Sequence, residues 1–337
     1  MFGGIAIAGN LLAVASTDAR GRVFLFDLED ERLASSWSWS AADGGPSDAG
    51  GVAFDRAYNI YVADTRNDLV RCFSPFGMPV RVFGVPQQRE PGSTVRDAPG
   101  RLDRPHAVAV LDDVLFVACG DRWLVRGVQR FALLGPQAGD SSRERRVGRP
   151  EGPNQESGRG LPGRRGSDDA QPSVVASAAM GEVLPPLRAF GESDARFGAP
   201  RGICAEAGGI WVADTQHGVV QRFRSDGSFV ARIATAGTHG AESRPIAVLP
   251  QRLGTSEEPA LLVADAGDEP GLRVVLPSGR QERAPANDEL VEPSALARDA
   301  GGRIHVFDRH GERVVRLTAD LRVDRIVVDL LEVGFGG

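Results

Sequence analysis

Histidine and cysteine are the residue types that most often bind metals or act as nucleophiles, and this chain has few of either. It contains 5 histidines and 3 cysteines among 337 residues. Cys72, Cys119 and Cys204 lie far apart and form no CxxC pair, so their spacing indicates neither a zinc ribbon nor a disulfide framework. The sequence also lacks the HExxH, GxSxG and P-loop motifs. It therefore predicts no catalytic residue, no metal site and no cofactor.

Aspartate recurs at one place in a repeated pattern. Residues 61–77 read YVADTRNDLVRCFSPFG and residues 211–227 read WVADTQHGVVQRFRSDG, and the two align without a gap. Both stretches are typical of a strand, a turn and a second strand. A short carboxylate at the end of the first of these strands can accept hydrogen bonds from backbone N–H groups of the following turn. We therefore expect a structural role in the turn for the aspartates at this position, which are Asp64, Asp214, Asp265 and Asp308.

The same pattern occurs in six units, most of them spaced by roughly 45–56 residues. Each unit holds four short, alternating apolar runs separated by turn residues, as in an antiparallel meander. One such sheet cannot bury both of its faces, whereas six arranged radially can. The sequence therefore predicts an all-β, six-bladed β-propeller of four-stranded antiparallel blades. Blade one (RLASSWSW, 32–39) and blade six (VDRIVV, 323–328) each contain a fourth strand, so we expect side-chain packing, without strand exchange, to close the ring.

The repeated unit resembles the NHL repeat. The motif that carries the resemblance is a short apolar run, then a V-A-D-[ST] strand end, then a strand with a central Phe. The best copies cover 51–84 and 201–233, and weaker copies cover most of 3–330. The resemblance implies an NHL-type propeller, an architecture shared by protein-binding, RNA-binding and enzymatic proteins. Peptidylglycine amidating lyase, a similar propeller, holds zinc with three histidines that follow blade-opening prolines, and only His106 of this chain matches that pattern.

In a propeller of this connectivity, the first strand of every blade begins at one channel mouth. The second turn of each blade, between its second and third strands, lies at the same mouth. The predicted first-strand positions near the channel are Gly3, Gly50, His106, Arg201, Ile246 and Ser294, and the second turns add Arg66, Arg122, Gln216, His217, Arg309 and His310. This set is polar and partly basic, which suits an anionic ligand or an acidic peptide. The residues that we predict to bind the partner are His106, Arg201, Arg66, His217, Arg309, Ser294 and Arg122.

A single propeller domain is predicted over 1–330, with a tail at 331–337. Residues 136–186 are rich in Gly, Pro, Ser and Arg, contain no aromatic residue and show no strand pattern. Such a segment cannot bury enough apolar surface to offset its ordering entropy, so we expect it to be a disordered insertion. The motif resumes with LRAFG (187–191), which places the insertion between the third and fourth strands of blade three.

The formal net charge of −6 gives the chain no general attraction to nucleic acid or anionic lipid. No apolar run approaches the ~18 residues that a membrane span needs, and the N-terminus lacks a basic leader. We therefore expect a cytoplasmic binding or scaffolding module with a protein or peptide partner, or with a small anionic ligand. Two alternatives stay open: a lyase or lactonase-like propeller enzyme, and a protein that binds single-stranded RNA, with Trp123 as the stacking candidate. His239 and His305 have no partner that the sequence identifies.

Overall fold

Six sheets of four antiparallel strands form a closed ring in the computed structural model. The structure describes residues 2–16, 21–39, 48–84, 100–120, 127–133, 182–189, 197–206, 208–235, 242–251 and 259–332. Within every sheet the strands follow one another in chain order, so each blade is a meander. The predicted six-bladed, all-β propeller is therefore confirmed.

The strands of the first three blades have the following bounds. Blade one consists of β1 (Phe2–Ala8), β2 (Leu11–Ser16), β3 (Arg22–Asp27) and β4 (Arg32–Ser38). Blade two consists of β5 (Ala49–Phe54), β6 (Ile60–Asp64), β7 (Leu69–Phe73) and β8 (Pro79–Phe83). Blade three consists of β9 (Pro105–Leu111), β10 (Val114–Cys119), β11 (Gly127–Ala132) and β12 (Val183–Leu187).

The last three blades complete the ring. Blade four consists of β13 (Pro200–Glu206), β14 (Gly209–Asp214), β15 (Val219–Phe223) and β16 (Phe229–Ala234). Blade five consists of β17 (Pro245–Gln251), β18 (Ala260–Asp265), β19 (Gly271–Val275) and β20 (Gln281–Arg283). Blade six consists of β21 (Pro293–Arg298), β22 (Ile304–Asp308), β23 (Arg313–Leu317) and β24 (Val323–Asp329). Two 3-10 helices lie at Thr215–His217 and Pro285–Asp288, and no helix in the described ranges is long and apolar enough to cross a membrane.

The hydrophobic core is divided among the interfaces between blades. Each of six apolar clusters joins two neighbouring sheets. The second strand of a blade is covered on its two faces by the two neighbouring blades. In blades two and four it is buried along its whole length. The outer strand β16 instead alternates between half-buried and exposed residues. A continuous apolar run such as WVAD therefore forms a second strand, whereas an alternating run such as FVARIA forms an outer strand.

Side-chain packing closes the ring between the first and last blades, as predicted. Ile5 and Phe24 of blade one share a buried cluster with Phe307 and Val314 of blade six. Glu31, in the turn before β4, also forms an ion pair with Arg325 of β24. Blades one and six each supply their own fourth strand, so no strand is exchanged.

The fourth strand of blade three begins earlier than the sequence predicts. Strand β12 starts at Val183, whereas the expected strand LRAFG starts at Leu187, so the predicted insertion 136–186 is wrong at its C-terminal end. The prolines at 185 and 186 argue against a strand in the sequence, but an outer edge strand tolerates proline because its missing N–H faces solvent. Both prolines are exposed here. Residues 136–181 and 333–337 lie outside the described residues.

Glycines allow the first strands of neighbouring blades to approach each other closely. A Cβ atom added to Gly202 would lie 2.4 Å from the carbonyl oxygen of Ile246 in the next blade. One added to Gly3 would lie 2.5 Å from the carbonyl oxygen of Ala49. Glycine is therefore required at these positions by the close approach of two backbones, and this approach sets the spacing of the residues at the channel mouth.

Candidate binding site at the channel mouth

A basin of about 640 Å³ opens where the first strands begin. Its walls come from three kinds of position: the second residue of the first strand in all six blades, the residue before that strand in three blades, and the residue after the buried aspartate in four blades. The lining residues are Gly3, Asp48, Gly50, Thr65, Arg104, His106, Arg201, Thr215, Arg244, Ile246, Ala266, Ser294 and Arg309. All six first-strand residues that the sequence places near the channel lie in this basin.

The residues predicted to bind a partner are not all brought together. His106, Arg201, Ser294 and Arg309 line the basin. Arg66 is exposed and lies outside the lining, and Arg122 lies outside the described residues.

His217 also lies outside the lining, and it contacts Asp214 within the turn after the second strand. The turn is a 3-10 helix that ends on the left-handed residue Gly218. In this conformation His217 Nδ1 lies 2.8 Å from Asp214 Oδ2 of the same turn.

Sequence reasoning missed three charged residues of the lining: Arg104, Arg244 and Asp48. Each stands directly before the first strand of its blade, in blades three, five and two. The two arginines had a signal in the sequence, since each begins an Arg-Pro dipeptide that opens a repeat. Asp48 had no comparable signal, because alanine replaces proline after it.

The basin carries more positive than negative charge. Four arginines and one aspartate line it, so its formal charge is +3 while that of the whole chain is −6. Arg309 is neutralised by an ion pair with Glu292. Among the described residues, no carboxylate lies within 4.0 Å of the guanidinium groups of Arg104 and Arg244. These two side chains are therefore available to an incoming anion.

Two threonine hydroxyls in the basin fix the neighbouring blade. Thr65 Oγ1 donates to the carbonyl oxygen of Pro105 at 2.7 Å, and Thr215 Oγ1 donates to that of Pro245 at 2.7 Å. Each proline begins the first strand of the next blade. The hydroxyls thus hold in place the chain that carries His106 and Ile246.

The buried aspartates fix the segment that leads into their own blade. Asp214 accepts hydrogen bonds from the N–H groups of Gly198 and Ala199, at 2.8 and 3.0 Å. Asp308 accepts one from the N–H of Glu292 at 2.8 Å, and Asp265 accepts one from the N–H of Arg244 at 3.0 Å.

These donors differ from those that the sequence suggested. A backbone donor from the following turn is present at Asp265, where Gly267 donates at 2.7 Å. The other backbone N–H groups precede the first strand, because its start lies beside the end of the second strand. The aspartates therefore hold the segments that lead into the first strands, and one of the N–H groups that they bind belongs to the lining residue Arg244.

A third-strand side chain balances the negative charge of three of these aspartates. Arg71 Nε lies 2.6 Å from Asp64 Oδ2, and Arg273 lies beside Asp265 at the same strand position. Arg313 lies two residues earlier in its strand, where it pairs directly with Asp308. Blade four differs, because the neutral Gln221 donates to Asp214 at 3.0 Å. All four carboxylates are fully or almost fully buried, so these partners are required for their stability.

At the opposite end of the channel, one arginine side chain connects three blades. Arg298 of blade six reaches Glu206 of blade four at 3.1 Å and Gln251 of blade five at 3.3 Å, and it also donates to the Pro250 carbonyl oxygen. A second cavity of about 450 Å³ lies at this end, where most lining residues are apolar and the charged ones are four acidic residues and two arginines. The cationic basin is therefore confined to the first mouth.

The buried thiols are poorly suited to nucleophilic catalysis. Burial raises the pKa of Cys72 to about 11 and that of Cys119 to about 12, so both are protonated near neutral pH. Within the described ranges, no group of three or more His, Cys, Asp or Glu side chains is arranged to hold a metal ion.

His305 has a partner that the sequence did not reveal. Its Nε2 lies 3.1 Å from Asp299 Oδ2, and both residues are buried. Burial lowers the pKa of His305, against the opposing effect of Asp299. Because Asp299 also accepts the N–H of Arg303 at 2.9 Å, this pair stabilises the turn between β21 and β22.

Comparison with known proteins supports the fold. No protein-family model matches the sequence, and no curated protein matches it. The chain is similar in structure to virginiamycin B lyase from Staphylococcus aureus, with a TM-score of 0.54 and 11% identity over 96% of this chain and 83% of that one. A streptogramin B lyase gives a TM-score of 0.50 with 10% identity, covering 90% of this chain and 89% of that one. A chain of a nidogen/laminin complex gives 0.54 with 15% identity, covering 94% and 92%. These solved structures support the six-bladed propeller and leave the activity open.

Proposed function

We propose that this chain is a non-catalytic binding propeller of the NHL type, which acts in the cytoplasm and holds an anionic group of a protein, peptide or small molecule at its channel mouth. The observation that carries the proposal is the pair of guanidinium groups of Arg104 and Arg244 in one basin. Neither has a carboxylate partner in the described part of the chain. Arginine binds carboxylate and phosphate oxygens in bidentate geometry, which gives both affinity and orientation.

The walls of the basin are built to be rigid. Asp265 accepts the backbone N–H of Arg244 at 3.0 Å, and Asp68 accepts that of Arg104 at 2.7 Å. The threonines at 65 and 215 fix the strands beside them. Because the backbones of both arginines are held before a ligand arrives, less conformational entropy is lost on binding.

An acidic peptide or a small anion fits this basin better than the other partners considered. No Phe, Tyr or Trp side chain is among the described lining residues, so the basin offers only the His106 ring as an aromatic platform for stacking RNA bases. The lyases and the nidogen/laminin complex show that one fold carries unlike functions. Their likeness to this chain therefore favours no particular reaction.

A binding titration tests the proposal. The probe is a hexaglutamate peptide with an N-terminal fluorescein, and fluorescence anisotropy reports its affinity for the wild-type protein and for Arg104→Gln and Arg244→Gln. Each substitution should weaken binding about tenfold, because it removes a charge-assisted hydrogen bond. Arg224→Gln is the matched control, since Arg224 is exposed outside the basin. Equal affinity in all four proteins would overturn the proposal.

A further inference from the structure

A backbone hydrogen bond places two residues of a blade beside each other at the channel mouth. In four blades, the residue after the second strand donates its N–H to the carbonyl oxygen of the residue before the first strand. These pairs are Thr65 and Asp48, Thr215 and Ala199, Ala266 and Arg244, and Arg309 and Glu292. Among these four pairs, the one in blade six has side chains of opposite charge. A mouth arginine therefore has a carboxylate beside it in that blade.

The ion pair of Arg309 and Glu292 is partly open to solvent. The exposed fractions are 37% for the Arg309 side chain and 41% for that of Glu292, and Arg309 lines the basin. The arginine–aspartate pairs of blades two and five differ, because their aspartate side chains are fully buried. An exposed ion pair contributes little, since solvent and salt screen it and two long side chains must be ordered to form it. The Arg309 guanidinium can therefore exchange Glu292 for another anion.

Glu292 shows which chemical group a mouth arginine accepts. Its side-chain carboxylate accepts a hydrogen bond from Arg309 Nη2, so the chain itself supplies one carboxylate to this site. The backbone of both residues is held separately: Asp308 accepts the N–H of Glu292 at 2.8 Å, and the Glu292 carbonyl oxygen accepts the N–H of Arg309 at 2.9 Å. The two side chains can change partners while the backbone stays in place. A carboxylate of an acidic peptide would meet the same donor and compete with Glu292 for it.

We infer that Glu292 is an internal competitor of the ligand. It occupies the Arg309 subsite, which a carboxylate of an acidic peptide takes when the same peptide is held at Arg104 and Arg244. The inference rests on the proposed function, because those two arginines must first hold the peptide. A carboxylate on a peptide that is bound nearby has a high effective concentration at Arg309, which a free monoanion lacks. Glu292 therefore makes the mouth selective for ligands that carry several carboxylates.

Substitution of Glu292 tests the inference with the fluorescein-labelled hexaglutamate probe. Glu292→Gln frees Arg309 and should tighten binding about fivefold, the order expected for one exposed charge pair. The Glu292→Gln/Arg309→Gln double variant should lose this gain. Glu289→Gln is the matched control, since Glu289 is an exposed carboxylate outside the basin and close to Glu292 in the chain. It should leave the affinity unchanged.

A ligand with one carboxylate tests the selectivity. N-acetylglutamate α-amide, measured by displacement of the hexaglutamate probe, should gain less affinity from Glu292→Gln than hexaglutamate does. Selenate-soaked crystals locate the freed site: Glu292→Gln should add an anomalous peak within hydrogen-bonding distance of the Arg309 guanidinium, and wild-type crystals should lack it.

The possible failures separate this inference from the proposed function. The inference is overturned if Glu292→Gln leaves the hexaglutamate affinity unchanged, if Glu289→Gln gives the same gain, or if the gain survives in the double variant. An equal gain for the ligand with one carboxylate would contradict the selectivity. Each of these results leaves the anion site at Arg104 and Arg244 standing. Failure of the wild-type protein to bind hexaglutamate would instead contradict the proposed function.

Discussion

The hydroxyl of Thr215 in blade four donates a 2.7 Å hydrogen bond to the carbonyl oxygen of Pro245, the first residue of blade five. Asp214, the preceding residue, holds the segment that leads into blade four itself. One Asp-Thr pair therefore fixes the beginnings of two successive first strands. Asp64 and Thr65 occupy the same two positions in blade two, where Thr65 binds Pro105 of blade three. This explains why the V-A-D-T sequence occurs twice in the chain.

Removal of the Thr215 hydroxyl should destabilise the protein. Thr215→Val keeps the shape of the side chain but leaves the carbonyl of Pro245 without its donor, which costs roughly 1–3 kcal/mol when the group is buried. Urea unfolding at equilibrium measures the loss. Thr215→Ser keeps the hydroxyl and should retain most of the stability, so equal losses in the two variants would show that the hydrogen bond is unimportant.

The ion pair of Asp64 and Arg71 should be sensitive to loss of its cation. Asp64 is fully buried, and Arg71 Nε lies 2.6 Å from it. Arg71→Leu leaves an uncompensated buried charge, a change that typically costs about 3–5 kcal/mol. Arg71→Gln reproduces the Gln221–Asp214 arrangement of blade four and should cost less. A smaller loss for leucine than for glutamine in thermal or urea unfolding would contradict this account.

Gly202 should tolerate no larger residue. A Cβ at this position would lie 2.4 Å from the carbonyl oxygen of Ile246, so Gly202→Ala forces two inner strands apart. We expect a lower melting temperature and weaker binding at the mouth, because the displaced strand also carries Arg201. Gly127→Ala is the control, since a Cβ there meets no atom within 4 Å. Similar melting temperatures of the two variants would show that the close approach is not limiting.

Stability should fall on mild acidification because of His305. Its pKa is lowered by burial from 6.5 in the unfolded chain, so the unfolded state binds the proton more readily. This contribution is therefore present above about pH 6.5 and is lost as the pH falls below that value. His305→Gln keeps a donor for Asp299 and should flatten the dependence of melting temperature on pH between about 5 and 7, whereas the exposed His310→Gln should leave it unchanged. Identical pH profiles for all three proteins would contradict the assignment.

The sequence indicates the fold more fully than the site. Period-2 alternation and the recurring V-A-D ending predict six blades, because every blade buries its apolar faces against its two neighbours in the same way. The positions of His106 and Arg201 follow from this repeat, since each comes directly after a blade-opening proline. The location of His217 does not follow, because it depends on a 3-10 turn whose geometry the repeat does not specify.

Arg104 and Arg244 show a different limit of sequence reasoning. Their Arg-Pro dipeptides are visible in the sequence, but the importance of the residue before the strand depends on how far a long side chain can reach over the mouth. The available charge on each arginine depends on which carboxylates lie nearby, as the pairing of Arg309 with Glu292 shows. Such pairing between chain segments is set by three-dimensional packing, and a linear pattern does not contain it.

A crystal structure of the protein soaked in selenate would show whether the channel mouth binds an anion, because the anomalous signal of selenium locates a bound oxyanion. The proposed anion site requires an anomalous peak within hydrogen-bonding distance of the guanidinium groups of Arg104 or Arg244, and loss of that peak in the Arg104→Gln/Arg244→Gln double variant. An empty mouth in crystals that bind selenate elsewhere on the surface would contradict it.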